Sequence, residues 1–246
     1  MESHVHKTAV LALALAAGTT FALPTQALTI TQWNFNSISP DNSTGTGSLT
    51  PSTGTGTALA LGVTATFSSG ASNNSSSDPV TVDDSGWQTT GYASQGTGNK
   101  TRGVEFKVST LGMQDIVISY DLRHSNTSSR YEQVQYTLDG TNFIDIASFD
   151  GNAGDTWFNA RTVDLSAISG ADNNANFGFR VVASFAPGSS SYAASSTSYA
   201  GSGTWRFDMA TVSGVAVTPV PEPQTYALML AGLVAVGFVA RRRRQG

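Results

Sequence analysis

The chain predicts an all-β fold, an antiparallel two-sheet sandwich, set between an N-terminal signal helix and a C-terminal transmembrane helix. Three observations predict it. Ser (31) and Thr (30) make up about a quarter of the 246 residues and Gly adds 25, a composition of turns and β-branched positions rather than of helical bundles. Short stretches of alternating polar and apolar residues recur between positions 28 and 217. No stretch in that interval reads as a helix of domain size.

Residues 28–35 open the domain with alternating character. A Ser/Thr/Gly tract at 40–56 is too polar and flexible to pack. The run 57–67 is apolar and partly alternating through Leu59, Leu61, Val63, Ala65 and Phe67, and 68–78 reads as a loop. Residues 83–101 read as a long connection carrying Trp87 and Tyr92 among glycines. Val104, Phe106 and Val108 then alternate with Glu105 and Lys107, as in a half-buried strand. Strands follow at 115–123 and 131–138, and Asp139-Gly140 offers the positive φ of a tight hairpin back into 143–149. Further strands are predicted at 158–165, 177–185 and 204–217, with 192–199 in a Ser/Ala-rich loop. About nine strands at this spacing, without intervening helices, give the sandwich.

Residues 28–219 hold eight Lys and Arg against fifteen Asp and Glu. Such an acidic domain is a poor electrostatic match to nucleic acid, which is excluded as a partner. Cysteine is absent, which excludes disulfides, Cys-ligated zinc, iron–sulfur clusters and a cysteine nucleophile.

The two ends read as addresses. His4, His6 and Lys7 precede a short apolar run at 9–17, and Thr25-Gln26-Ala27 places a small residue before a cleavage point. This is a secretory signal, read by the Sec translocon and cut after Ala27, with Ala22 as the alternative. The domains are therefore 1–27, 28–219 and 220–246. In the last, Val220-Pro221-Glu222-Pro223 precedes an uncharged stretch at 225–240 and then Arg241, Arg242, Arg243 and Arg244. The sixteen residues of that stretch reach about 24 Å as a helix, short of a hydrocarbon core of about 30 Å. Bilayer thinning and snorkelling arginines absorb the mismatch. The arginines hold their end in the cytoplasm, and the prolines around Glu222 keep the backbone extended and accessible.

This tail resembles the PEP-CTERM sorting signal of exosortase-bearing Gram-negative bacteria, over positions 220–246. The resemblance implies recognition and cleavage at Pro221, Glu222 and Pro223 by an exosortase-type membrane transpeptidase, transient residence in the inner membrane, and release or re-attachment outside it. It further implies a surface protein or one associated with exopolysaccharide. A plain single-pass tail anchor is the other reading. More loosely, the stretches 125–140, 176–182 and 204–208 resemble the concanavalin-like or carbohydrate-module-like jelly rolls of bacterial surface proteins. That resemblance implies architecture rather than activity.

The chemistry is sparse. Once the signal is removed, His124 is the only histidine, placed just after a strand where a surface loop is the ordinary expectation. No G-x-S-x-G elbow accompanies it, and one imidazole cannot assemble a histidine zinc or iron site. Glu105 and Glu132 read as solvent-facing positions of alternating strands rather than as the facing carboxylates of a glycosidase, although Asp pairs stay open. Calcium fits better, because it takes oxygen ligands from Asp side chains and loop carbonyls. Asp150 and Asp155 flank a glycine-rich turn, and Asp83-Asp84 and Asp172-Asn173-Asn174 are other oxygen-rich turns. In the carbohydrate-module-like jelly rolls that the chain resembles, calcium ties the first and last strands together, which makes Asp208 the matching ligand for a structural calcium. Carbohydrate contact would use exposed aromatics, with Trp87 and Tyr92 as the pair and Trp157 at a rim, while Trp33 and Trp205 sit in strands where burial is the default. The expectation is an exported, non-catalytic surface or matrix protein. A binder of biofilm polysaccharide ranks second, and a glycosidase or lyase third.

Overall fold

The computed structural model describes residues 26–217 and 223–244. The alternating stretches form eleven strands in two antiparallel sheets: β1 (Leu28–Trp33), β2 (Thr57–Leu61), β3 (Thr64–Ser69), β4 (Ser85–Thr90), β5 (Gly103–Lys107), β6 (Met113–His124), β7 (Tyr131–Thr137), β8 (Ile144–Asp150), β9 (Thr156–Asp164), β10 (Gly178–Ser184) and β11 (Trp205–Ala216). A helix, α1 (Pro223–Arg242), follows in the tail.

The first sheet runs β3-β4-β11-β6-β9, with β1 also paired to β11; the second runs β2-β5-β10-β7-β8. The last strand of the sandwich therefore lies at the centre of the first sheet. β11 pairs with β6 along most of its length, with β4 at its start (Trp205 opposite Thr89) and with β1 toward its end (Leu28 opposite Gly214). Because the first residue of β1 faces the last turn of β11, the chain enters and leaves the sandwich at the same end.

Inward-facing apolar residues of the two sheets meet in one core. Trp33 of the first sheet packs on Phe106 of the second at 5.0 Å between ring centroids, and Phe106 stacks on Phe179 at 4.7 Å. Trp87, Tyr120, Leu122, Trp205 and Phe207 complete the buried layer from the first sheet. Large aromatics dominate burial energetics of this kind, each covering roughly 150–250 Å².

Three sequence expectations are corrected. The run 57–67 is two strands, β2 and β3, which belong to opposite sheets. The connection 83–101 contains β4. The turn after β7 is wider than a tight hairpin, spanning from Thr137 to Ile144. Gly140 does take positive φ (77°), and the Asp139 carboxylate closes the turn by accepting from the backbone N–H groups of Asn142 and Thr141 and from the Asn142 amide. Those donors hold the Asp139 carboxyl well below its ordinary range, the Asn142 backbone N–H most of all.

Candidate metal centre

Between β3 and β4, residues 70–84 fold back over the outer face of the first sheet. Asn73, Asn74 and Ser75 take left-handed backbone conformations in succession (φ 60°, 74° and 61°), which reverses the chain; Asn is among the residues that tolerate this region. The sheet holds the loop by polar contacts. Trp157 Nε1 donates to the Ser72 carbonyl at 2.7 Å and Asn159 Nδ2 to that of Ser75 at 3.1 Å. Arg206 donates to the Ser69 carbonyl and to Ser72 Oγ, and Ser77 donates from both its backbone N–H and its hydroxyl to Asp121.

This loop carries Asp78 and Asp84 onto Asp208 of β11. The pairing of β11 with β6 slips between Asp208 and Thr211, and Met209 takes φ 46°, so a bulge sits directly after the aspartate. Met209 N–H donates to Asp208 Oδ1 at 2.8 Å. One carboxylate oxygen from each of Asp78, Asp84 and Asp208 lies within 4.8 Å of the others. Asp84 and Asp208 are fully buried and Asp78 is 8% exposed. Both oxygens of Asp84 and Oδ2 of Asp208 have no hydrogen-bond partner, whereas Asp78 Oδ2 accepts from Asn36 at 2.8 Å. Among the described residues, no Lys or Arg pairs with any of the three.

Such an arrangement is electrostatically uncomfortable by itself. Burial pushes the Asp84 carboxyl up to about 6, with the Asp78 charge adding to it. Burial likewise raises Asp208 well above its ordinary value, helped by the charges of Asp78 and Asp84 and opposed by hydrogen bonds from Ser76 and Met209. Asp78 is raised by burial too. A buried carboxylate normally has a partner, and these three orphaned oxygens of Asp84 and Asp208 have none. The space between them is also kept clear: a Cβ placed on Gly70 would sit 2.0 Å from Asp84 Oδ1 and 2.8 Å from Asp208 Oδ2. An all-carboxylate donor set without imidazole or thiolate suits a hard, oxygen-seeking divalent cation, calcium before zinc.

Asp208 thus takes part in an oxygen cluster as expected, but with different neighbours. Asp150 is paired with Arg130 through two contacts of 2.6 Å, and Asp155 with Arg123 at 2.5 Å and Asn126 at 2.7 Å. Their oxygens are already committed, so neither joins Asp208. Asp84 belongs to the Asp83-Asp84 turn that the sequence marks as oxygen-rich. Asp78, at the end of a polar loop, carries no local signal of its own.

The aromatic pair expected to meet sugar is in the core. Trp87 is 2% exposed and stacks on Phe35 at 5.5 Å; Tyr92 is 5% exposed, packs on Trp205 at 5.1 Å and exchanges a hydrogen bond with Thr89. Trp157 is buried under the 70–84 loop rather than placed at a rim. Trp33 and Trp205 are buried as expected.

His124 and the two glutamates are also inside rather than at the surface. His124 Nε2 lies 2.8 Å from Glu132 Oε1, Tyr120 donates to Glu132 Oε2 at 2.7 Å, and Arg161 stands 3.4 Å from Oε1. Burial and the Glu132 charge raise the Tyr120 phenol well above its ordinary value. Glu105 is held by Arg180 at 2.6 Å, whose guanidinium covers the Phe143 ring. Ser195 Oγ lies 3.2 Å from His124 Nδ1, which completes a Ser-His-Glu line. Its protons are wrong for acyl transfer. Nδ1 also faces the Ser129 carbonyl at 2.9 Å, an acceptor only, so the hydrogen-bond partners assign a proton to Nδ1 and leave it no lone pair for the serine. Gly151 closes the ring in, since a Cβ there would lie 2.4 Å from it.

At the C-terminus α1 exposes Leu228, Leu233, Val236 and Phe238. Among the described residues, no helix is long and apolar enough to cross a membrane. The apolar run expected to span at 225–240 lies in α1, which continues to Arg242. Pro223 opens the helix, where a missing N–H costs nothing. Pro221 and Glu222 lie outside the described residues, as does the signal before Gln26; Ala27 is exposed just ahead of β1.

Residues 219–244 match the family described as the PEP-CTERM protein-sorting motif. No curated protein matches the chain. Among solved structures, it is similar to the CBM22-1–GH10 modules of Clostridium thermocellum endo-1,4-β-D-xylanase 10B, solved with xylohexaose (13% identity, 68% of this chain and 27% of that one, TM-score 0.41). It is also similar to the tandem CBM22 domain of Paenibacillus barcinonensis Xyn10C (10% identity, 82% of this chain and 53% of that one, TM-score 0.45). A third similar structure is the K1 cleaved adhesin domain of Porphyromonas gingivalis W83 Lys-gingipain (14% identity, 78% of this chain and 99% of that one, TM-score 0.41). The chain spans about a quarter and about half of the first two.

Proposed function

We propose that this chain, which carries a PEP-CTERM sorting motif and is therefore exported, is a non-catalytic surface or matrix protein braced by one calcium ion. The motif at 219–244 is the observation that carries the reading. In it, Pro221, Glu222 and Pro223 form the box acted on by an exosortase-type transpeptidase, the apolar run holds the chain at the inner membrane, and Arg241 to Arg244 keep their end cytoplasmic. Passage through the Sec translocon and removal of the signal after Ala27 complete the route.

Calcium is supported by the orphaned oxygens of Asp84 and Asp208 and by the space that Gly70 leaves between them. Asp78, Asp84 and Asp208 would hold the ion, whose charge would offset their mutual repulsion and tie the 70–84 loop to β11. Extracellular polysaccharide remains the proposed environment. With Trp87 and Tyr92 in the core, association with it would use the polar outer surface and not an aromatic platform.

The test is the mass of the mature protein from cells that carry the processing enzyme. Loss of both the first 27 residues and the arginine cluster is the expected result. A mature chain still ending in Arg241 to Arg244 would overturn the sorting assignment.

A further inference from the structure

We propose that the end of the sandwich bearing both chain termini is the membrane-facing surface of the tethered protein, with Leu28, Leu111 and Val217 against the lipid headgroups. The inference rests on the tail being held at a membrane, and adds which way the domain points.

The strand registers carry it. Leu28 lies opposite Gly214, and Met113 opposite Ala216, so the start of β1, the end of β11 and the start of β6 share one end of the sheet. Val217 N–H donates to the Gly112 carbonyl at 2.9 Å, which sets Leu111 beside the departing tail. Leu28, Leu111 and Val217 are 51%, 59% and 44% exposed, an apolar group around the exit point. Only residues 218–222 separate Val217 from the start of α1. Even fully extended, that link reaches about 20 Å. The tether leaves from this face, so it does not have to wrap around the domain. β11, twelve residues long, sets the opposite end about 40 Å away. There Trp205 meets His124, and residues 186–204 pack Tyr192 on Tyr199.

Charge identifies the lipid. Asp115 and Asp164 are exposed near this end, where β6 begins and β9 stops, and would be repelled by an anionic surface. The contact is therefore with uncharged, zwitterionic headgroups, driven by the three apolar side chains and the short tether.

The absence of cysteine makes the test direct. The full chain, with a single fluorophore at Leu111→Cys or at Ser190→Cys on the far end, is bound to phosphatidylcholine vesicles containing headgroup-quencher lipid. The label at 111 is expected to lose roughly half its emission or more, being within the ~20 Å tether, while the label at 190 keeps nearly all of it. Twenty Gly/Ser residues inserted after Val217 should leave the label at 111 quenched, because the apolar contact holds that end down without the short tether. Equal quenching at both positions, stronger quenching at 190, or emission restored at 111 on lengthening the link would overturn the orientation while leaving the tail at the membrane. A chain that does not float with the vesicles would overturn the tail reading and the orientation with it.

Discussion

Asp84 fills space that any side chain at position 70 would need: a Cβ on Gly70 falls 2.0 Å from Asp84 Oδ1. Gly70→Ala must therefore push the carboxylate out of the cluster or the loop off the sheet. Overpacking of this kind costs about 1–3 kcal/mol. Thermal melts with and without calcium should show a lower Tm and a smaller calcium response in this variant. An unchanged melt and response would mean that the cluster tolerates rearrangement and is not a built cation site.

Calcium should raise the Tm of the wild-type chain and a chelator should reverse it. A bound ion adds about 2.7 kcal/mol at a hundredfold excess over its Kd. Asp84→Asn and Asp208→Asn remove ligands and repulsion together, so both variants should melt at a temperature indifferent to calcium. If the wild type is equally indifferent, the three carboxylates do not bind the ion.

The chelated protein should become less stable as pH rises through the cluster's titration. Asp84 is raised from 3.8 to about 6 by burial first and Asp78 second. A carboxyl raised on folding contributes stability that is complete below the unfolded value and lost as pH climbs through the folded one. Urea denaturation in chelator should thus show a decline between about pH 4 and 6. With calcium present, proton competition should reverse that slope. A flat profile in chelator would contradict the burial of an uncompensated charge.

Replacing Glu132 by Gln or His124 by Asn breaks a fully buried pair, and removal of one partner from such a pair costs about 3–5 kcal/mol. Ser195→Ala removes one long hydrogen bond, worth about 1 kcal/mol. Chemical denaturation should rank the variants in that order. A larger loss for Ser195→Ala than for Glu132→Gln would be at odds with a structural role for the network.

On the proposed sorting route, neutral replacements at Arg241, Arg242, Arg243 and Arg244 remove the cytoplasmic hold on the tail. Pulse-chase labelling should then show slowed or lost C-terminal processing. Identical processing kinetics would count against the assignment of these residues.

What could be seen in the sequence was whatever is written locally. The Pro221-Glu222-Pro223 box and the arginine run are contiguous, and the strands with one open face alternate plainly. β4 does not: four of its six residues are buried, without a plain alternation, and Trp87 consequently looks like part of a glycine-rich connection. Glu105 and Glu132 sit on strands of the expected period, but period 2 assigns a face without saying what covers it. The Asp78, Asp84 and Asp208 cluster was beyond reach for a simpler reason. Its members are brought together by a loop lying over a sheet, and no spacing rule connects the loop to the last strand. The bulge at Met209 that finishes the site has no sequence mark either.

The place of β11 has a consequence for how the protein is made. Its partners β1, β4 and β6 emerge earlier, yet they meet along a strand that is synthesised last. The first sheet lacks its central member until nearly the whole chain has been synthesised. Long-range pairing of this sort is slow to nucleate, so the first sheet gains its keystone only when its last strand arrives.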